Sequence, residues 1–446
     1  AADPIDADQK LQEDALMSYV ASVNYSYGDK YYASFSFRRD GSSRLSPDTR
    51  WGNFWSLSAS WRLSQEKFMQ SLKSVLSDLK LRASYGVNGN LPSSYYGYQS
   101  TYTTGAFYNG KPSPWESTLG NEELTWEKNY ALNLGLDIGL FSRVNVSLDW
   151  YTRTTKDLLM SKQLNSISGF SSLLTNVGQM RNTGVELEVR SNNIKTKDFS
   201  WTTAFNLSHN KNKILKLADL PWFVDGRYVR KEGYPFNTIY LREYAGVDPE
   251  TGSALYYDNQ QDENGNYTKN KVTDPGQASP IPLKDITPTI SGGFMNTFNY
   301  KFIDLSFNLS YSFGGYSYDN ASYILQDDGY SVISNKSTEQ RRRWQKPGDI
   351  TDVPRFVYGN KKGGNYNSSR AIHSTDHIRL KSLILGLNAP KAWLQKLGIG
   401  NARIYFSGTN LLTWAAYGQY DPEMSGVVGF YTPPLKTYAF GLELKF

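Results

Sequence analysis

The chain has few residues suited to bond-making chemistry, and their spacing argues against catalysis. It holds three histidines, His209, His373 and His377, and no cysteine. That removes thiolate zinc sites, disulfides and cysteine nucleophiles. His373 and His377 stand four apart, a spacing that puts two imidazoles on one face of a helix. They precede a strand-like segment, where that spacing does not, so hydrogen bonding at a loop end is expected rather than metal ligation. Glu122-Glu123 and the pair Glu186 and Glu188 could be read as paired carboxylates. Glu186 and Glu188 alternate with apolar residues and lie beside Arg190, which predicts a solvated ion cluster on the polar face of a strand. Asp258 to Asn266 faintly resembles a calcium loop. The glycine is misplaced counting from Asp262 and the closing glutamate is missing, so Asn264-Gly265 reads as a hairpin turn. No G-x-S-x-G, H-E-x-x-H, P-loop or G-x-G-x-x-G occurs. No catalytic residue, metal site or cofactor is expected.

Aromatic clusters between the regular segments are better candidates for recognition. They are Tyr95-Tyr96-Gly97-Tyr98 with Tyr102, Pro221-Trp222-Phe223, and Tyr316-Ser317-Tyr318. Flat rings with a polar edge suit sugars, peptides and protein surfaces. Tyr95, Tyr96, Tyr98, Tyr102, Trp222, Tyr316 and Tyr318 are the expected contacts to substrate or partner. Trp55, Trp61, Trp150, Trp201 and Trp414 read instead as girdle residues at a membrane interface.

The elements that must carry these clusters are strands. Tyr, Phe and Trp make up 15% of the chain and Gly contributes 37 residues, a mixture that suits β structure. The net charge of +6 is too small to suggest nucleic acid. Apolar runs are only a few residues long, far short of the roughly 20 a spanning helix requires. Alternation with period two recurs throughout: Tyr19, Ala21, Val23, Tyr25 and Tyr27 near the start, Tyr438, Phe440, Leu442, Leu444 and Phe446 at the end. About thirteen strands are predicted, near 17–28, 30–39, 54–63, 77–87, 126–140, 143–154, 177–190, 198–210, 287–301, 303–314, 376–388, 402–412 and 436–446. Most reach the roughly 9–11 residues of a tilted membrane strand, and their polar face is small (Ser, Asn, Gly, Thr) rather than charged. A change of phase between Leu380 and Leu383 predicts a bulge near Ser382.

Short connections (Gly28-Asp29, Phe141-Ser142, Ser191 to Lys197, Phe302) alternate with long ones (about 40–53, 88–125, 155–176, 211–286, 315–375 and 413–435). Two medium connections suggest helices at Glu66 to Leu76 and Lys391 to Leu397. Barrels of the bacterial outer membrane have short periplasmic turns and long extracellular loops. On that rule the last strand ends at the periplasm with Phe446, and the first runs the same way. The two could not close an antiparallel barrel together. The sequence opens on Ala1-Ala2-Asp3-Pro4 without a signal peptide. An odd number of further strands upstream is therefore expected.

Several stretches, in order, resemble the SusC/RagA family of TonB-dependent outer-membrane transporters of Bacteroidetes. They include Leu124-Thr125-Trp126-Glu127-Lys128, Thr155-Lys156-Asp157-Leu158-Leu159 and Asn176 to Glu186 (NVGQMRNTGVE). Further on come Ala245-Gly246-Val247-Asp248-Pro249, Arg343-Trp344-Gln345-Lys346-Pro347-Gly348-Asp349, Arg379-Leu380-Lys381, Gly408 to Trp414 (GTNLLTW) and Tyr420-Asp421-Pro422-Glu423. The resemblance implies an all-β transmembrane barrel of about 22 strands with a plug, of which this chain supplies the C-terminal portion. It implies import of an oligosaccharide or a peptide, a SusD-type lipoprotein lid and energy from TonB through a plug absent here. It also implies a role for Phe446 as an assembly signal. An adhesive barrel that binds through its loops without transport is the rival expectation; a barrel enzyme ranks behind both.

Overall fold

A computed structural model describes residues 11–446 apart from 106, 218–219, 332, 361–366, 391–393 and 395–397. Thirteen long strands follow one another in the sheet in chain order. They are β1 Leu16–Tyr27, β2 Tyr31–Ser42, β3 Trp51–Arg62, β4 Leu76–Asn90, β5 Glu127–Leu140, β6 Val144–Lys156 and β7 Gln179–Lys195. After these come β8 Phe199–Lys216, β9 Ile290–Tyr300, β10 Ile303–Phe313, β11 His377–Asn388, β12 Asn401–Ala415 and β13 Thr437–Lys445. β1 and β13 each have a single neighbour in that order, so they are not paired with each other, as the direction argument requires. No described helix is long and apolar enough to cross a membrane.

The chain divides into two compact units. One comprises Ala1–Ser142, Ser147–Gly184 and Asn212–Pro221; the other comprises Arg143–Val146, Val185–Lys211 and Trp222–Phe446. In the first, register turns the alternation of each strand into a common face. Tyr27 pairs with Tyr31, Tyr31 with Trp61, Trp61 with Leu81 and Leu81 with Leu136. A second row runs through Val23, Phe35, Leu57, Tyr85 and Leu132. The opposite face carries Asn24, Ser34, Ser58, Ser84 and Asn133 in register. A strand exposes large apolar groups on one face, and small polar groups on the other, only where the apolar face has a non-aqueous solvent. A buried cluster of Leu45, Phe54, Val87, Leu124 and Trp126 closes the loop end of this unit. The Phe54 and Trp126 rings meet edge to face at 5.2 Å, and Trp126 Nε1 donates to the Arg50 carbonyl at 2.8 Å.

The turns follow from local chemistry. Gly28 and Asp29 both have positive φ, the requirement of a two-residue turn matched to strand twist. Phe141 and Ser142 adopt the same left-handed backbone without a glycine, at φ 52° and 53°. The turn after β7 is tighter than expected: β7 runs to Lys195, and Thr196 donates from its backbone to the Phe199 carbonyl at 2.8 Å. Between β3 and β4 the short helix expected at Glu66 to Leu76 is present as the 3₁₀ helix Lys67–Leu72, preceded by a 3₁₀ turn at Leu63–Gln65. Glu66 is extended between them because Lys30, Tyr31 and Trp61 all hold its carboxylate. The helix expected at Lys391 to Leu397 falls almost wholly outside the described residues.

In the second unit, Asn308 pairs with Ser382 while Leu309 pairs with Leu380, so the bulge falls at Lys381. One extra residue there keeps Leu380 and Leu383 on the same face despite their odd spacing. The long connections are structured. One contains a four-stranded sheet of Trp222–Asp225, Tyr228–Lys231, Thr238–Leu241 and Ile281–Asp285. A three-stranded sheet joins Tyr244–Val247, Ala254–Tyr257 and Lys271–Val272. Another sets Tyr316–Asp319 between Ile372–Ser374 and Gly426–Val428. Strands β2, β7 and β8 extend into the connections, which are correspondingly shorter than the alternation predicts.

Candidate functional site

The aromatic loop residues fall into two assemblies, one in each unit. In the first, Asn176 is the hub. Its amide donates to the carbonyls of Thr125 and Asp157, both at 2.9 Å, and its side-chain oxygen accepts from the Thr125 backbone at 2.8 Å. Asn121 donates to the Leu174 carbonyl at 3.0 Å. The stretch they fix reaches the aromatic segment through the Asn121 backbone, which donates to the Gly97 carbonyl at 3.2 Å. The Arg44 guanidinium lies 4.2 Å from the Tyr95 ring centre and pairs with Asp14 at 2.8 Å. Tyr95 and Tyr96 rings are 6.4 Å apart, and the Tyr96 hydroxyl accepts from the Glu13 backbone at 3.4 Å. The Tyr98 hydroxyl accepts from Gln99 at 2.8 Å. Tyr102 lies on a small hairpin, Thr101–Thr103 against Trp115–Thr118, and is well exposed. Phe107, Tyr108 and Trp115 are exposed in the same loop and were not among the expected contacts, although Phe107 and Tyr108 are adjacent in the chain.

In the second assembly, Trp222 is exposed and packs against Tyr240 at 6.0 Å. Tyr316 is half-buried, with Lys284 Nζ 5.0 Å from its ring. Tyr318 does not meet the expectation of a surface contact, for it is 1% exposed. Its strand is paired on both sides, and its ring joins a core of Ile239, Leu241 and Ala371. Its hydroxyl donates to Asn367 at 2.8 Å, and burial pushes the phenol well above its ordinary value. Neighbouring Asp319 caps the helix Asn320–Leu325 through the Ser322 amide at 2.8 Å and accepts from the Tyr417 hydroxyl at 3.0 Å.

The histidines take different partners. His373 stacks on Tyr417 with centres 3.7 Å apart and planes 2° from parallel, and burial lowers its pKa. His377 shares a hydrogen bond with the Thr375 carbonyl at 2.8 Å. Among the described residues no cluster of histidine and carboxylate ligands has metal-binding geometry. Glu188 pairs with Arg190 on an exposed strand face. The Asp262 to Asn266 stretch is a turn: Asp262 Oδ1 accepts from the backbones of Asn264 and Asn266 at 2.9 and 2.8 Å.

The feature sequence reasoning missed is a buried ion network under the last long loop. Arg379, 2% exposed, donates to Asp421 at 2.7 Å, to Glu423 at 2.9 Å and to Thr413 at 3.1 Å. The bulge residue Lys381 also reaches Glu423, at 2.6 Å. The network pins one wall of a cavity of about 650 Å³, lined by Arg379, Asn410, Tyr420, Phe430, Tyr431 and Pro433 among others. Phe430 and Tyr431 are largely exposed there. Rings and prolines alternate there with polar groups such as Asn410, Gln419 and Lys436, a mixed lining that suits binding. The signal was present as the two motifs Arg379-Leu380-Lys381 and Tyr420-Asp421-Pro422-Glu423, which sequence alone left unconnected.

Residues 3–239 match the family described as TonB dependent receptor-like, beta-barrel. The TonB-dependent receptor P3 of Formosa agariphila is 33% identical over 98% of this chain and 46% of its own length. The TonB-dependent receptor SusC of Bacteroides thetaiotaomicron is 30% identical over 98% of this chain and 45% of its own. Among solved structures, the RagAB peptide transporter matches with a TM-score of 0.87 and 31% identity over 97% of this chain and 48% of that one. The chain spans about half the length of the curated relatives it matches.

Proposed function

We propose, for a chain that belongs to the TonB-dependent receptor-like β-barrel family, that it supplies the wall and outer loops of an outer-membrane importer of large nutrients. In this reading TonB provides the energy, the rest of the barrel and its plug are supplied outside these residues, and a SusD-type surface lipoprotein lids the loops. The observation that carries it is the unbroken thirteen-strand order, apolar on one face, which aligns with the RagAB peptide transporter over 97% of the chain. An oligosaccharide is the leading substrate class, because exposed rings at Tyr102, Trp222, Phe430 and Tyr431 offer flat surfaces for stacking on sugars. The likeness to a peptide transporter favours a peptide as the second reading.

The test is uptake of labelled oligosaccharides and peptides by cells producing the protein, with and without functional TonB. TonB-dependent accumulation of one class, with a surface lipoprotein co-purifying, supports the proposal. Loops that bind a surface partner while uptake is indifferent to TonB would favour the adhesive reading instead. Trp222→Ala and Tyr431→Ala should weaken substrate binding by about 10-fold or more each, the scale of one lost stacking contact of 1–2 kcal/mol.

A further inference from the structure

The chain has no cysteine, so disulfides cannot cross-link its long connections. One connection holds the groups for a different covalent link. The hairpin of Ala254–Tyr257 and Lys271–Val272 continues past its ladder. The Asp258 backbone donates to the Asn270 carbonyl at 2.9 Å, and that of Thr268 to the Gln260 carbonyl at 2.7 Å. Asn259 and Lys269 stand opposite each other between those two bonds, where side chains can meet. The Asp258 carboxylate fixes both neighbours of Lys269, accepting from the Thr268 hydroxyl and the Asn270 amide, each at 2.9 Å. Glu243, just ahead of Tyr244–Val247, is tied to the hairpin by its carbonyl, which accepts from the Tyr257 backbone at 3.0 Å.

The three side chains converge. Lys269 Nζ donates to Asn259 Oδ1 at 2.9 Å and also to Glu243 Oε2. Asn259 Nδ2 donates to the same Glu243 oxygen at 3.4 Å. Asn259 is 2% exposed, and its backbone is left-handed at φ 48°, which aims the carboxamide inward rather than to solvent. The Tyr257 and Tyr267 ring centres lie 5.2 and 5.9 Å from Nζ and cover one flank of the group. An ion pair alone needs no buried carboxamide. An amine against a carboxamide, with one carboxylate touching both the attacking and the departing nitrogen, is the arrangement that amide exchange requires.

We propose that Lys269 and Asn259 join in an intramolecular isopeptide bond, with Glu243 as the catalytic acid–base. Glu243 takes a proton from the Lys269 ammonium, and the freed amine adds its lone pair to Asn259 Cγ. Glu243 returns that proton to Nδ2 as the Cγ–Nδ2 bond breaks and ammonia leaves. The amine's second proton departs with it, so an ammonium and a carboxamide become a secondary amide and an ammonium ion. Nothing is oxidised or reduced and no co-reactant is consumed. The bond closes the hairpin covalently and stands independently of the substrate reading.

The experiment uses the full protein purified from outer membranes in detergent and incubated to constant mass. Wild type should weigh one ammonia less than its encoded sequence. Trypsin should fail to cut after Lys269 in the denatured protein, because the lysine is acylated. Glu263 lies between the two partners, so further cleavage after it should leave two peptide chains still joined, with fragmentation placing the link at Asn259 and Lys269. A succinimide at Asn264-Gly265 also loses ammonia but joins no chains. Lys269→Arg keeps the ion pair and Asn259→Ala keeps the lysine; neither should form the link. Glu243→Gln should form it about 100-fold more slowly, the scale of a lost acid–base group. Heat-modifiable migration in gels confirms that each variant is folded. Wild type at its full encoded mass with the two chains separating, or joined chains in Lys269→Arg, would overturn the bond. A link that forms as fast in Glu243→Gln as in wild type would overturn the role of Glu243.

Discussion

Replacing Arg379 by alanine should free the segment after β12 while leaving the sheet intact. Arg379 has three partners across more than thirty residues of chain: Asp421 at 2.7 Å, Glu423 at 2.9 Å and Thr413 at 3.1 Å. Glu423 keeps Lys381 at 2.6 Å when the arginine is removed. Asp421 is different. It is 8% exposed, and Arg379 is its cationic partner, so the variant leaves a buried carboxylate uncompensated. Breaking such a pair costs about 3–5 kcal/mol. The carboxylate escapes by moving into water with its loop, so the loss appears as local opening. At about 1.4 kcal/mol per tenfold, amides near Asp421, including that of Met424 bonded to the Asp421 carbonyl, should exchange about 100-fold faster or more. Those of β10 and β11 should not change. Hydrogen exchange read by mass spectrometry on the detergent-solubilised protein measures both. Arg379→Lys keeps the charge but loses the fork and should fall between, near 10-fold. Ligand affinity at the cavity lined by Tyr420 and Tyr431 should decline in the same order. Exchange near Asp421 within 3-fold of wild type in Arg379→Ala would show that the network does not hold the loop.

Three further outcomes are expected. Phe446→Ser should cut the amount of protein in the outer membrane severely, as loss of an assembly signal; normal levels with a stability loss of only about 1.5–3 kcal/mol would mean the exposed ring is merely an anchor. Replacing Phe141-Ser142 by Asn-Gly should stabilise the β5–β6 turn by about 1–2 kcal/mol, since both positions need positive φ; a lower denaturation midpoint in urea would contradict this. The Glu66 carboxyl is held at about 2 by Tyr31, Lys30 and Trp61, below its ordinary 4.5. A depressed folded value means that its contribution is complete above pH 4.5 and is lost as pH falls towards 2. Trp61 fluorescence should change across that window in wild type and lose that dependence in Glu66→Gln; an identical pH profile in the variant would refute the assignment.

What was legible in the sequence was what depends on neighbours in the chain. Period-two alternation revealed all thirteen strands and their faces, because a strand's side chains alternate whatever it pairs with; the short and long connections between them gave the directions that keep β1 and β13 from pairing. The phase change at Leu380 to Leu383 located the bulge for the same reason. Positions such as Gly28-Asp29 announced their turn through local backbone preference. The ordered motifs, each short and local, carried the family.

Only the tertiary structure could decide partners distant in sequence. Tyr318 looks like Tyr316 in the chain, yet strands from residues 372–374 and 426–428 enclose it. Asn176 reads as one more polar residue, but its geometry ties Thr125 to Asp157. Arg379 and Asp421 are 42 residues apart. Glu66 is extended rather than helical because Lys30 and Tyr31, on the neighbouring hairpin, reach its carboxylate. Alternation says which way a side chain points; which group it meets is set by register, by bulges and by the folding of the long loops onto one another. Burial and pairing arise from those long-range contacts, and no local pattern encodes them.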